Sequence, residues 1–172
     1  IDVTFEHTGI FLGEVATVLN EASDGLFEYD RPKLKQAKVG QRRIQRWSNI
    51  IGANTFKVLR LLQWEDSGSS HRYAKTISSL QEISESVRDI VIRASQHVSN
   101  QHAGLLESQV EEMDRVRKEV VQILSLTSQA LLEKKRPESK AIAARVEDLQ
   151  KFAKDYDRNQ IARIQDNTSK TR

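Results

Sequence analysis

Along almost its whole length the chain repeats apolar residues at steps of three and four, the period of an α-helix that buries one face. Phe11, Val15, Val18, Leu19, Ala22 and Leu26 mark the first such face, with Glu14, Glu21 and Asp24 off it. Pro32 disfavours helical geometry at Arg31 and itself suits a first turn. The spacing therefore predicts one helix ending near Glu28 and a second from about Arg31 to Trp64. The second helix has a seam of Leu34, Ala37, Gln41, Ile44, Ser48, Ile51, Thr55, Val58 and Leu62, an alternation typical of coiled-coil-like packing. Glu65 to Ser70 reads as the clearest loop. A third face follows through Ile77, Leu80, Ile83, Val87, Ile90, Val91, Ala94 and Val98, and Asn100 to Gly104 marks a turn or kink. The fourth helix carries Leu106, Val110, Met113, Val116, Val120, Ile123, Leu124, Thr127 and Leu131. Pro137 opens a fifth through Ile142, Val146, Leu149, Phe152, Tyr156 and Ile164. The expected fold class is all-α: five long helices with short connections, packed as antiparallel neighbours in a bundle.

Composition closes off the alternatives. Two prolines and seven glycines in 172 residues leave too few turns for a sandwich or barrel. The absence of cysteine removes disulfides, thiolate zinc sites, iron–sulfur clusters and a cysteine nucleophile. A formal charge of +3 is too small an excess for a dedicated nucleic-acid binder, and no recognition motif accompanies it. No apolar run approaches the roughly eighteen residues that span a bilayer, and no signal peptide opens the chain. The sequence lacks a Gly-rich phosphate loop, a Gly-x-Ser-x-Gly elbow and a His-Glu-x-x-His pair, so the expectation is a non-enzyme. It opens at Ile1 without an initiator methionine, which reads as a piece of a longer protein.

Shifting the chain by 105 positions lays its first two helices on its last two. Between positions 14 and 54 there are 41 ungapped pairs, of which 11 are identical. Arg31-Pro32-Lys33-Leu34-Lys35 falls on Arg136-Pro137-Glu138-Ser139-Lys140, and Ile44-Gln45-Arg46-Trp47 on Leu149-Gln150-Lys151-Phe152. Amphipathic helices share valines and leucines by default, but not an Arg-Pro-x-x-Lys turn. The repeat divides the chain into a three-helix unit at 5–103, two helices of a second unit at 104–166, and a polar tail at 167–172. The counterpart of the third helix would begin near 176, beyond this sequence. A bundle short of that sixth helix is expected to expose an apolar groove, filled by self-association or by a partner helix.

A tandem of three long helices with a carboxylate pair on the third resembles the PhoU family of phosphate-uptake regulators. That pair is Glu85 and Asp89, within Ile83-Ser84-Glu85-Ser86-Val87-Arg88-Asp89-Ile90-Val91. The stretch Asp157-Arg158-Asn159-Gln160-Ile161-Ala162-Arg163-Ile164-Gln165 is similar to the fifth helix of the PhoU-like cytoplasmic domain of bacterial sodium/phosphate cotransporters. The resemblance implies a non-catalytic regulatory or assembly domain of a phosphate transporter, on the cytoplasmic side of the bacterial inner membrane. Its partners would be the rest of the transporter chain, a second copy, or an anionic membrane surface. The alternatives are a free-standing phosphate-signalling regulator and a metal-binding helical bundle.

For the last alternative the resemblance implies a divalent metal at Glu85 and Asp89, which share a helix face at i and i+4. Arg88 stands where the family has glycine, and pairing of Arg88 and Arg93 with these carboxylates as ordinary surface partners outweighs ligation. No cofactor is therefore expected. His7, His71, His97 and His102 do not form a zinc set, because His97 and His102 are five apart on a helix. The second helix is basic, and Arg31, Lys35, Lys38, Arg42 and Arg46 form a candidate docking face for lipid head groups or an acidic partner. Trp47 and Phe152, equivalent in the repeat, are candidate core anchors. Asn167-Thr168-Ser169 matches a glycosylation acceptor of a kind common by chance.

Overall fold

The computed structural model of the chain describes residues 2–61, 67–135 and 138–166. They form five helices: α1 (Asp2–Phe27), α2 (Arg31–Leu61), α3 (Ser67–Ser99), α4 (Glu107–Leu132) and α5 (Ser139–Gln165). The all-α expectation holds, and no described residue is in a strand. The predicted start of the fifth helix at Pro137, the end of the second at Trp64 and the polar tail lie outside the described residues. The loop expected from Glu65 to Ser70 needs correction, since Ser67 to Ser70 are already helical. Serines serve the first turn of a helix as readily as they serve a loop.

α1 is central. It packs along α2 and α4 and more lightly on α3, while among the described helices α5 packs on α4 alone. Gly40 of α2 comes so close to α1 that a β-carbon there would lie 2.5 Å from Val18 Cγ2. On the other side of α1, the Ser128 hydroxyl donates to the Gly9 carbonyl at 2.6 Å, and Arg117 Nη1 donates to Asn20 Oδ1 at 2.9 Å. These contacts make α4 antiparallel to α1. Across α3, the Ser84 hydroxyl donates to Gln45 Oε1 at 3.1 Å.

The main core unites Phe11, Val15 and Val18 of α1 with Ile44 and Ile51 of α2 and Val87 and Val91 of α3. Most of the α2 seam is buried as predicted, with Gly40 and Gly52 joining it. The second half of the chain behaves differently. On α4 only Gln109 and Ser128 are buried, and on α5 no residue is. The apolar faces expected there exist, but they are half covered; Met113 is 42% exposed. Ile90, placed by its spacing on the core face of α3, is 44% exposed. Periodicity reports which side of a helix is apolar, not whether a neighbour is present to cover it.

Two turns share one construction. After α1, Glu28, Tyr29 and Asp30 donate their N–H groups to the carbonyls of Asp24, Leu26 and Gly25. After α4, Glu133, Lys134 and Lys135 donate to Gln129, Leu131 and Ala130. Each donor and acceptor is displaced by 105. Tyr29 (φ 55°) and Lys134 (φ 56°) both take the left-handed conformation that closes a helix by satisfying its last carbonyls. α3 ends in the same way at Gln101 (φ 52°), so the motif by itself is ordinary. The coincidence lies in the matching position at the ends of α1 and α4.

Candidate docking surfaces

Arg31, Lys35, Lys38, Arg42 and Arg46 are all exposed. Steps of four, three, four and four keep them on one stripe of α2, opposite the buried line of Leu34, Ala37, Ile44 and Ile51. α2 contains no acidic residue at all. Its other cations include Lys33, which donates to Glu28 at 2.6 Å, and Arg43, 3.3 Å from Glu14. Among the described residues, the five stripe cations have no ion-pair partner. Val39 (54% exposed) and Ile50 (48% exposed) stand along one flank of the stripe.

The carboxylate pair is less developed. Glu85 and Asp89 are exposed, and Arg88 Nε lies 3.8 Å from Asp89 Oδ1. Among the described residues no group of three or more His, Asp or Glu side chains converges on a point. Both carboxylates are solvated, and the Arg88 guanidinium beside Asp89 competes with any cation for that oxygen. Arg93, one turn beyond Asp89, makes no ion pair with either carboxylate among the described residues and lines a groove.

That groove, about 570 Å³ and largely apolar, runs between α3 and α5 over a floor of α1 and α4. Leu19 and Leu26 of α1 and Met113, Val116 and Val120 of α4 form its base, with Ile90 of α3 at the side. Arg163 at its side donates to Glu112 Oε2 at 2.6 Å and holds the Glu112 carboxyl below the usual carboxylate range. Arg117 is occupied by Asp114 and Asp24. At one end His97 meets Tyr29, whose hydroxyl is 2.8 Å from Nε2 and 3.0 Å from the carbonyls of His102 and Ala103. Burial, then the neighbouring His102, pushes the His97 imidazolium pKa down.

No family model, curated protein or solved structure matches the chain. The sites therefore rest on their own chemistry.

The candidate anchors sit in different settings. Trp47 is half-buried, packs on the main core and meets the His7 ring at 5.4 Å. Phe152 is also half-buried but lies outside that core, with the Arg115 guanidinium 4.5 Å above its ring. Trp47 thus faces α1, and Phe152 faces α4. Sequence reasoning missed Arg117, Arg163 and Glu112; the available signal was their polarity beside an apolar stripe on α4 and α5. Glu14 and Glu119, 105 apart, both bridge to an arginine of the following helix: Arg43 at 3.3 Å and Arg145 at 2.8 Å.

Proposed function

We propose that the chain is a PhoU-like, non-catalytic regulatory or assembly domain of a phosphate transporter, which acts by docking helix faces against the transporter, a partner or an anionic membrane surface. The observation that carries this reading is the 105-residue correspondence in the sequence, 11 identities in 41 ungapped pairs. The turns after α1 and α4 fall at matching positions, built as the turn after α3 also is, and Glu14 and Glu119 each bridge to an arginine of the following helix. Helical units that present a charged stripe and an apolar groove, with no convergent catalytic groups among the described residues, suit docking better than chemistry. The stripe on α2 supplies the electrostatic half of the docking. Cations with no ion-pair partner among the described residues, flanked by exposed Val39 and Ile50, match a surface of anionic head groups above an apolar layer.

The test is phosphate uptake. Radiolabelled phosphate entry is followed in the native host carrying either the natural gene or one with Arg42→Gln and Arg46→Gln. Both side chains are exposed, so folding is expected to be unaffected. A changed uptake rate at unchanged protein level supports the reading. Identical uptake, also when the whole domain is deleted, overturns it.

A further inference from the structure

The groove between α3 and α5 is the part of the molecule whose packing is unfinished. Phe11 and Val15 on α1 are 0% and 1% exposed, sealed in one cluster with residues of α2 and α3. The residues 105 positions later, Val116 and Val120 on α4, are half-exposed and line the groove. α4 has α5 where α1 has α2, but among the described residues no helix takes the place that α3 has beside α1. Ile90 on α3 and Met113 on α4, both more than 40% exposed, add apolar surface to its lining. From Gln109 to Val120 the trough is about 16 Å long at the helical rise, roughly three turns.

Its charge is unbalanced as well. Arg163 is held by Glu112, and Arg117 by Asp114 and Asp24. Arg93 on the rim has no ion-pair partner among the described residues. An apolar trough with an unmatched cation on its lip complements an apolar stripe bordered by a carboxylate.

We infer that the groove is a receptor for one amphipathic α-helix, laid parallel to α4 and antiparallel to α5, with an acidic side chain set against Arg93. The orientation follows from α3, which runs parallel to α1 and antiparallel to α2 while covering the equivalent face. The inference rests on the docking role proposed above and names the partner's chemistry.

The test uses the full 172-residue chain and three fluorescein-labelled peptides of about 20 residues. Two carry the same leucine and isoleucine stripe at three–four spacing, bordered by Glu in one and by Lys in the other. The third has the composition of the Glu peptide scrambled so that no face is apolar. Fluorescence anisotropy is expected to show saturable binding of the Glu peptide, about tenfold tighter than the Lys peptide. Arg93→Glu is expected to reverse that order. Met113→Glu and, separately, Ile90→Glu are expected to abolish binding; both positions are exposed, and circular dichroism checks that the helices persist. Equal binding of the scrambled peptide, or unchanged affinity in both of these variants, overturns the inference. So does a dimer in sedimentation that Met113→Glu dissolves while no peptide binds, since a second copy then fills the groove. Binding of dodecanoate that depends on Met113, with no peptide binding, overturns it in favour of a small amphiphile. Arg42→Gln with Arg46→Gln is expected to leave peptide affinity unchanged, so failure here and failure of the uptake experiment are separate results.

Discussion

Gly40 sits where α1 and α2 come closest. A β-carbon there would press on Val18 Cγ2, and Val18 is 1% exposed and stiff at χ1 because it is β-branched. Gly40→Ala gains about 1 kcal/mol in helix propensity, while overpacking a fixed neighbour costs about 1–3 kcal/mol. The expected net is a loss of about 1 kcal/mol, read as a lower urea midpoint with an unchanged slope. Ser48 gives the opposite sign. It is 2% exposed, and its hydroxyl has no hydrogen-bond partner. Ser48→Ala removes a desolvated, unpaired polar group and places the best helix former in α2, so stability is expected to rise by about 0.5–1 kcal/mol in the same titration. A fall would mean the hydroxyl is satisfied in solution. The sequence placed Ser48 in the seam of α2, whereas Gly40 needed coordinates, because a missing side chain leaves no trace in a hydrophobic pattern.

At the scale of elements, α5 is held by polar contacts rather than by burial. Gln109 donates to Gln160 at 2.9 Å, Arg163 to Glu112, Arg115 to the Tyr156 hydroxyl at 2.9 Å and Arg145 to Glu119. No α5 residue is buried, so its amides are expected to exchange with solvent faster than those of α1. The exchange also carries a pH signature. Arg163 lowers the Glu112 pKa from its ordinary 4.5 while α5 is docked. The undocked state therefore binds the proton more readily, and the contribution is whole above about pH 4.5 and lost as pH falls through the docked value. Acidification is expected to quicken exchange in α5 before α1, and Glu112→Gln to flatten that dependence. His97 has the same sign in a higher window. Its pKa is lowered from 6.5 in the fold, so acid below about pH 6.5 weakens the junction between α3 and the Tyr29 turn. Helix number, the break at Asn100–Gly104 and most of the α2 seam were legible in the sequence, because each depends on local period and turn chemistry. The stripe on α2 was legible for the same reason. An exposed apolar groove was expected from the repeat, but its lining was not legible: Arg93, Met113 and Arg163 come from three helices, and no spacing within one helix announces that they share a trough.

The whole molecule is electrically lopsided. α1 carries Asp2, Glu6, Glu14, Glu21 and Asp24 with no basic residue, and it lies against α2, which carries no acid. Where the two helices meet, Glu14 and Arg43 neutralise one another. The outer stripe of α2 is left to face solvent, so a formal +3 for the chain understates the field on that side. If the stripe meets a membrane, the attraction is screened by salt, since the Debye length falls from about 10 Å at 0.1 M to about 3 Å at 1 M. Each lysine or arginine near an anionic surface contributes about 1 kcal/mol. Removing two of them with Arg42→Gln and Arg46→Gln is therefore expected to weaken binding by about thirtyfold. Sedimentation with vesicles containing phosphatidylserine reads this directly, with uncharged phosphatidylcholine vesicles as the comparison. Binding that requires the anionic lipid, falls with added salt and falls again in the double variant places the stripe on the membrane. If the natural chain ignores both vesicle types, the electrostatic surface belongs to an acidic protein, and the membrane is excluded as the partner of α2.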